Sequence, residues 1–300
     1  MTSELSYVAT NSVAPEVFDS DQPQSWQSKW RELVKYRYLL RNLVIRDLKA
    51  RYKNSLLGIL WSLLNPLLMM AVYTVLFTIL IPNDNIHHYP VFILVALIPW
   101  NFLNGSLIAG TVSITNNAAL LKKVYFPRIL LPMAALLSNF VNFLLSLVVL
   151  VVFLFIFDIG ITIHALWVPA ILITQIVFTL GICLLLSTLH TFYRDVLMIL
   201  EVGMLAWFFL TPVFYPFEWI TEKALLMDIP FNAARVMRWL NPMASIVDGY
   251  RTVLWGNLGS ATPGSMDSLA LLRTFVTAVL VFIVGYAVFA RSEHLFGEKL

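Results

Sequence analysis

Five histidines, 17 acidic residues and a single cysteine are the groups in this chain that could serve as acids, bases, nucleophiles or metal ligands. Their spacing supports none of these roles. His87 and His88 are neighbours in a short loop, where adjacent imidazoles rarely converge on one ion, and His164, His190 and His294 are widely separated. His190 and His294 fall at span ends and read as interfacial anchors. Cys183 excludes a disulfide or thiolate cluster within one chain and reads as a small core residue. No His-Glu-x-x-His, paired-carboxylate or Gly-x-x-x-x-Gly-Lys-[Ser/Thr] motif occurs, so the chain is expected to hold no catalytic residue, metal or nucleotide of its own. What remains is recognition chemistry. Arg46, Arg51 and Lys53 form a basic cluster just ahead of an apolar run beginning near Ser55. An arginine fork there can bind a phosphate bidentately. The same charges can equally anchor the chain to anionic lipid.

The elements that must position these residues follow from composition. Hydrophobic residues make up 59% of the 300 and charged residues 12%, against about 45–50% and about 25% in soluble domains; the mean hydropathy is +0.80. A soluble enzyme fold is excluded. Six stretches are long and apolar enough to cross a bilayer, at about 55–81, 91–115, 129–157, 165–189, 196–215 and 269–290. The fold class is therefore all-α, a polytopic membrane protein with six spans over residues 46–300. Of the 20 Lys and Arg, all but Lys223, Arg235, Arg238, Arg251 and Arg273 fall on one side of this arrangement. The positive-inside rule makes that side, and both termini, cytoplasmic. Residues 1–25 are polar and acidic, have no signal-peptide pattern, and are expected to be a disordered tail.

Residues 26–45 place Trp26, Trp30, Leu33, Leu40 and Val44 at helical spacing opposite a basic face, which reads as an interfacial helix or as a helix packed on the bundle. The loop at 216–268 is rich in aromatics, and two readings stand: side chains at headgroup level, or short re-entrant helices packed on protein. Within the spans only Glu201 is charged away from an edge, which argues against an ion-coupled carrier. Pro66, Pro99, Pro132, Pro169 and Pro212 are expected to kink five spans.

Two motifs narrow the class. Arg46-Asp47-Leu48-Lys49 leads to Gly58, Trp61 and Pro66, and Leu121-Lys122-Lys123-Val124-Tyr125-Phe126-Pro127-Arg128 follows span two; Phe192-Tyr193-Arg194-Asp195, Thr211-Pro212 and Asn241-Pro242 complete the set. Together they make the chain resemble the membrane subunit of ATP-binding-cassette exporters in the polysaccharide branch, which export O-antigen, capsule or teichoic-acid polymers. The likeness covers about residues 26–295 in span number and loop placement. It implies a homodimeric permease in the inner membrane, separate ATPase subunits carrying ATP and Mg, a lipid-linked polysaccharide substrate, and no nucleic acid. It also implies an interface helix at about 26–36, gate helices in the last outer loop, and a coupling helix at about 116–125. In the coupling helix Asn117 belongs to the contact set, Leu120 and Leu121 would dock, and Lys122 and Lys123 would add attraction. Arg46, Arg51 and Lys53 would meet the substrate where it enters.

A channel for sugars needs aromatic faces for ring stacking and amides for hydroxyl groups. Trp61, Asn65, Tyr73, Phe77, Trp100, Asn104, Asn142 and Tyr215 are the candidates for its lining, although amides also join helices and aromatics also fill cores. The competing class is a polytopic membrane enzyme of glycan or lipid assembly, which would want clustered carboxylates or a histidine at one face.

Overall fold

The computed structural model describes residues 34–80, 86–220, 233–256 and 262–299, and every regular element among them is helical. Helix α1 (Arg37–Tyr52) leads through a turn and a short 3-10 segment (Gly58–Leu60) into α2 (Trp61–Val75). Then come α3 (Tyr89–Thr111), a four-residue α4 (Ala118–Leu121), α5 (Leu130–Ile156), α6 (Val168–Phe192), α7 (Val196–Leu210), α8 (Ala233–Leu240), α9 (Pro242–Leu254), α10 (Ser268–Ser292) and a final turn α11 (Phe296–Lys299).

Five helical stretches have the length and apolar character to cross a bilayer: Gly58–Ile79, Tyr89–Thr111, Leu130–Ile156, Ile163–Phe192 and Ser268–Leu295. The expected span at 196–215 differs. Its helix stops at Leu210 after 15 residues, about 22 Å of rise, short of the hydrocarbon core of about 30 Å. The remaining apolar residues, Val213 and Phe214, lie in a turn after Thr211-Pro212. The prolines also differ from expectation. Pro66 and Pro99 lie inside helices, whereas Pro132 is in the first turn of α5, Pro169 is among the first residues of α6 and Pro212 follows α7. Proline is tolerated in a first turn because those N–H groups lack helical partners. Only two spans are therefore interrupted from within.

Helix α3 is the axis of the bundle, with 78% of its span buried against 11% for the Gly58–Ile79 stretch. Lipid tails are as apolar as leucine, so close approach and polar pairing must hold such helices together. The tightest approach is between α6 and α10. A Cβ on Gly285 would lie 2.0 Å from the Gly181 carbonyl oxygen, and one on Gly181 would lie 2.6 Å from the Phe282 backbone. Gln175 of α6 donates to the Pro99 carbonyl (2.7 Å) and accepts from the Tyr250 hydroxyl (3.2 Å), tying α6, α3 and α9 together. Cys183 is fully buried, with its thiol against the Ser106 carbonyl, as expected of a core residue.

At the end that carries the Lys/Arg-rich segments, α1 is one continuous helix through Tyr52, with no break at residue 45. It packs through Leu43 on Phe126, Leu130, Leu131 and Ala134. The earlier part of the expected interfacial helix lies outside the described residues. Lys53 is extended, Asn54 takes φ 60° and Gly58 φ 53°, left-handed values that asparagine and glycine tolerate. That turn drops Trp61 to the start of α2. His190, expected as an interfacial anchor, is instead buried at 5% exposure.

Candidate functional site

The turn between α1 and α2 opens onto a cavity of about 390 Å³ walled by α1, α2, α3 and α5. Arg51 and Tyr52 stand at its basic end, and Trp61, Asn65, Asn104 and Asn142 line it, so five of the residues expected at the entrance or in the channel converge on one space. Asn101 and Asn139 complete the carboxamide set.

The geometry at Arg51 is built. Its guanidinium donates to Asn139 Oδ1 at 2.9 Å. The Asn139 amide nitrogen in turn donates to the carbonyls of Ala135 (2.8 Å) and Gly105 (3.2 Å). Tyr52 donates its hydroxyl to Asn142 Oδ1 at 2.8 Å. Asn65, Asn101 and Asn104 have no partner among the described residues, so three carboxamides keep their hydrogen-bonding capacity for the cavity. The other two residues of the basic cluster are elsewhere. Arg46 is exposed and paired with the adjacent Asp47 at 2.9 Å, and Lys53 is exposed at the end of α1.

The other expected lining residues gather towards the opposite end of the bundle. Phe77 and Tyr73 stack on Phe214 (5.5 and 6.5 Å between centroids), and Phe214 meets Tyr215 at 5.0 Å. Trp100 is 5% exposed and packs against Phe208 and Trp207. Tyr73, Phe77, Trp100 and Tyr215 thus form an aromatic cluster apart from the cavity. Two polar knots hold the chain beside it. Asn241 caps α9 by accepting from Ala244 N–H (3.2 Å), accepts from Trp207 Nε1 (2.9 Å) and donates to Thr211 Oγ1 (3.0 Å). Arg251, 5% exposed, donates to the carbonyls of Pro212, Val213 and Tyr215 and lies over the Phe92 ring. Its charge therefore rests on the carbonyls of the turn that follows α7. Both knots lie in the loop between the last two spans. There burial holds the Asp248 carboxyl above the usual carboxylate range while Arg238, 3.0 Å away, pulls it down.

The loop after α3 is the third feature. Asn117 donates to the Ser113 carbonyl at 2.7 Å and closes the end of α3. Leu120 and Leu121 are half-buried, packed inward on the cluster around Leu43, Phe126 and Leu130. The outward surface is made by Lys122, Lys123, Val124 (51% exposed) and Tyr125 (67% exposed).

Residues 38–255 match the family described as ABC-2 type transporter. This chain belongs to that family. A protein described as O-antigen export system permease protein RfbA, from Myxococcus xanthus, is 34% identical over 271 residues, covering 90% of this chain and 98% of that protein. One of the same description from Klebsiella pneumoniae is 31% identical over 270 residues, covering 88% and 96%. The resemblance drawn from these sequence motifs is thereby shown, and the chain is a membrane transport subunit.

Within this ABC-2 chain, Asn139, Asn241 and Arg251 are the polar residues whose positions sequence reasoning underrated. Asn139 was not among the expected lining residues, and the structure makes it the anchor of Arg51. The Asn241-Pro242 pair was a usable signal for Asn241, since asparagine before proline is a helix-capping pattern. Arg251 had no such signal, because its partners are carbonyls.

Proposed function

We propose that this chain is the permease of an ATP-driven exporter of O-antigen, working as a homodimer with separate ATP-binding-cassette ATPase subunits at its cytoplasmic face. The observation that carries the reading is the cavity itself: one arginine and a set of carboxamides, set among apolar helices. Such a space suits a hydroxyl-rich, anionic cargo, while the chain has no motif to cradle a nucleotide. The near end-to-end similarity to permeases described as serving O-antigen export supports the choice of polymer. The basic end is cytoplasmic in this reading, with the chain in the inner membrane and both termini inside.

Three features support the finer parts. Lys122, Lys123, Val124 and Tyr125 form an outward surface on which an ATPase groove can close, with Leu120 and Leu121 as the inner packing that holds it rigid. Glu201 is exposed on α7 among exposed Met198, Ile199, Val202 and Leu205. A carboxylate facing hydrocarbon is costly, so this face suits a second copy or a hydrated path better than lipid. Arg51 at the cavity end suits the phosphates of a lipid-linked chain as it enters. Movement of the polymer then follows ATPase closure, transmitted through the loop to α3 and α5, which flank the cavity.

The test is purification of the chain with and without its ATPase partner. The complex is expected to export polymer in vesicles at the expense of ATP, and the chain alone to hydrolyse none. Polymer-stimulated ATPase activity of the isolated chain overturns the reading.

A further inference from the structure

The cavity between α1, α2, α3 and α5 is lined by residues of one copy of the chain. Its lining includes one full charge, Arg51, and neither aspartate nor glutamate. Asn139, a neutral amide, holds the guanidinium in place and leaves its positive charge uncancelled. The Asn139 amide is itself fixed on two backbone carbonyls, so the exposed Arg51 side chain has a set acceptor at the cavity before any ligand arrives. Beyond it, the carboxamides of Asn65, Asn101 and Asn104 are unpartnered among the described residues, and Trp61, 45% exposed, offers an indole face at the rim. Polar groups without partners at membrane depth are unfavourable unless water or a ligand satisfies them. The volume is room for about a dozen waters at about 30 Å³ each, and it falls in the ordinary range of ligand sites.

From this arrangement we infer that each copy carries a headgroup site for a glycosyl phosphate, with Arg51 taking the phosphate and the amides of Asn65, Asn101 and Asn104 taking the hydroxyl groups of the first sugar. The inference rests on the exporter reading above and adds to it a site inside each subunit that recognises the reducing end of the substrate. A fixed arginine fork selects phosphate geometry over mere negative charge. Unpaired amides discriminate by hydrogen bonding, because a ligand without hydroxyls leaves them unsatisfied. A plain phospholipid phosphate satisfies only the first half of the site.

The test uses the full chain with its ATPase partner in lipid vesicles, with Ser62→Cys or, independently, Ser146→Cys as a reporter at the cavity wall. The parent chain is the blank, since its one cysteine, Cys183, is fully buried. A small polar thiol reagent is applied with and without farnesyl-pyrophosphoryl-N-acetylglucosamine as probe. At about ten times the probe's Kd, labelling slows about ten-fold. Farnesyl pyrophosphate and added phosphatidylglycerol are expected to protect less than about two-fold at the same concentration, and Arg51→Lys to abolish protection by the sugar probe. Unprotected cysteines at both positions overturn the site, as does equal protection by phosphatidylglycerol. O-antigen export by the parent chain in cells is scored separately. Export without protection removes the headgroup site and leaves the exporter standing; protection without export does the reverse.

Discussion

Replacing Asn241 with alanine should loosen the packing of α7 on α9 by an amount that the structure allows to be worked out. Asn241 caps α9, and the loss of an asparagine cap costs about 1 kcal/mol. Its Oδ1 also receives Trp207 Nε1–H at 2.9 Å, and its amide reaches Thr211 Oγ1 at 3.0 Å. A buried donor left without a partner costs about 1–3 kcal/mol, but hydrogen bonds between membrane helices average nearer 0.6 kcal/mol. Taking the lower part of that range for the Trp207 donor, Asn241→Ala should destabilise by about 2–3 kcal/mol in total. Asn241→Asp keeps both acceptor functions and should lose about half as much. The assay is equilibrium unfolding by SDS in mixed micelles, followed by tryptophan fluorescence. Trp207→Phe and the double variant complete a cycle, whose coupling energy should be about 1 kcal/mol. A loss below about 0.5 kcal/mol for Asn241→Ala, or a coupling energy indistinguishable from zero, would refute the claim that this residue joins α7 to α9.

Gly285→Leu should prevent close packing of α6 on α10 and lower the yield of folded protein in size-exclusion chromatography, whereas Gly203→Leu, which meets nothing within 4 Å, should not. Val124→Asp should leave the chain folded and reduce export with ATPase binding weakened, while Leu120→Asp should reduce the folded fraction itself, since Leu120 packs inward. Reporter fusions after Leu300 should report the cytoplasm and insertions near Gly259 the opposite side; the same side for both would mean that α10 does not cross the bilayer.

Long apolar runs made most of the fold legible, because length and hydropathy alone define a span. The end of α7 was not legible for the same reason. Val213 and Phe214 continue the apolar run past Thr211-Pro212, and hydropathy cannot distinguish apolar residues in a helix from apolar residues in a turn held by a buried arginine. The prolines were misplaced because a proline kinks a helix only when it lies beyond the first turn, and helix boundaries are read less securely than helices. At the site, the amides and Arg51 were recoverable from residue type: polar groups in spans must face something other than lipid, and here five of the expected residues face one cavity. The aromatics were not separable in this way. A tryptophan or tyrosine serves a core as well as it serves a channel, and Trp100, Tyr73, Phe77 and Tyr215 were drawn into the cluster around Phe208 and Phe214. Leu120 and Leu121 were assigned outward on a short helix whose inner neighbours, Leu43 and Leu130, come from distant parts of the sequence.

The packing and the cavity share one physical cause. Inside lipid, apolar contact gives helices little preference for one another, so small residues and polar pairs must choose the partners. Gly105 illustrates both consequences. A Cβ there would sit 2.7 Å from Asn139 Oδ1, so the glycine is what lets Asn139 lie against α3. From that position the amide bonds the Gly105 carbonyl with its nitrogen and receives Arg51 with its oxygen, joining α1, α3 and α5 through a single side chain. A leucine at 139 would fill the gap between α3 and α5 equally well, but it would leave Arg51 without its acceptor and the cavity without its fixed charge. The polar residues that specify how these helices assemble are thus the same ones that give the space between them its chemistry.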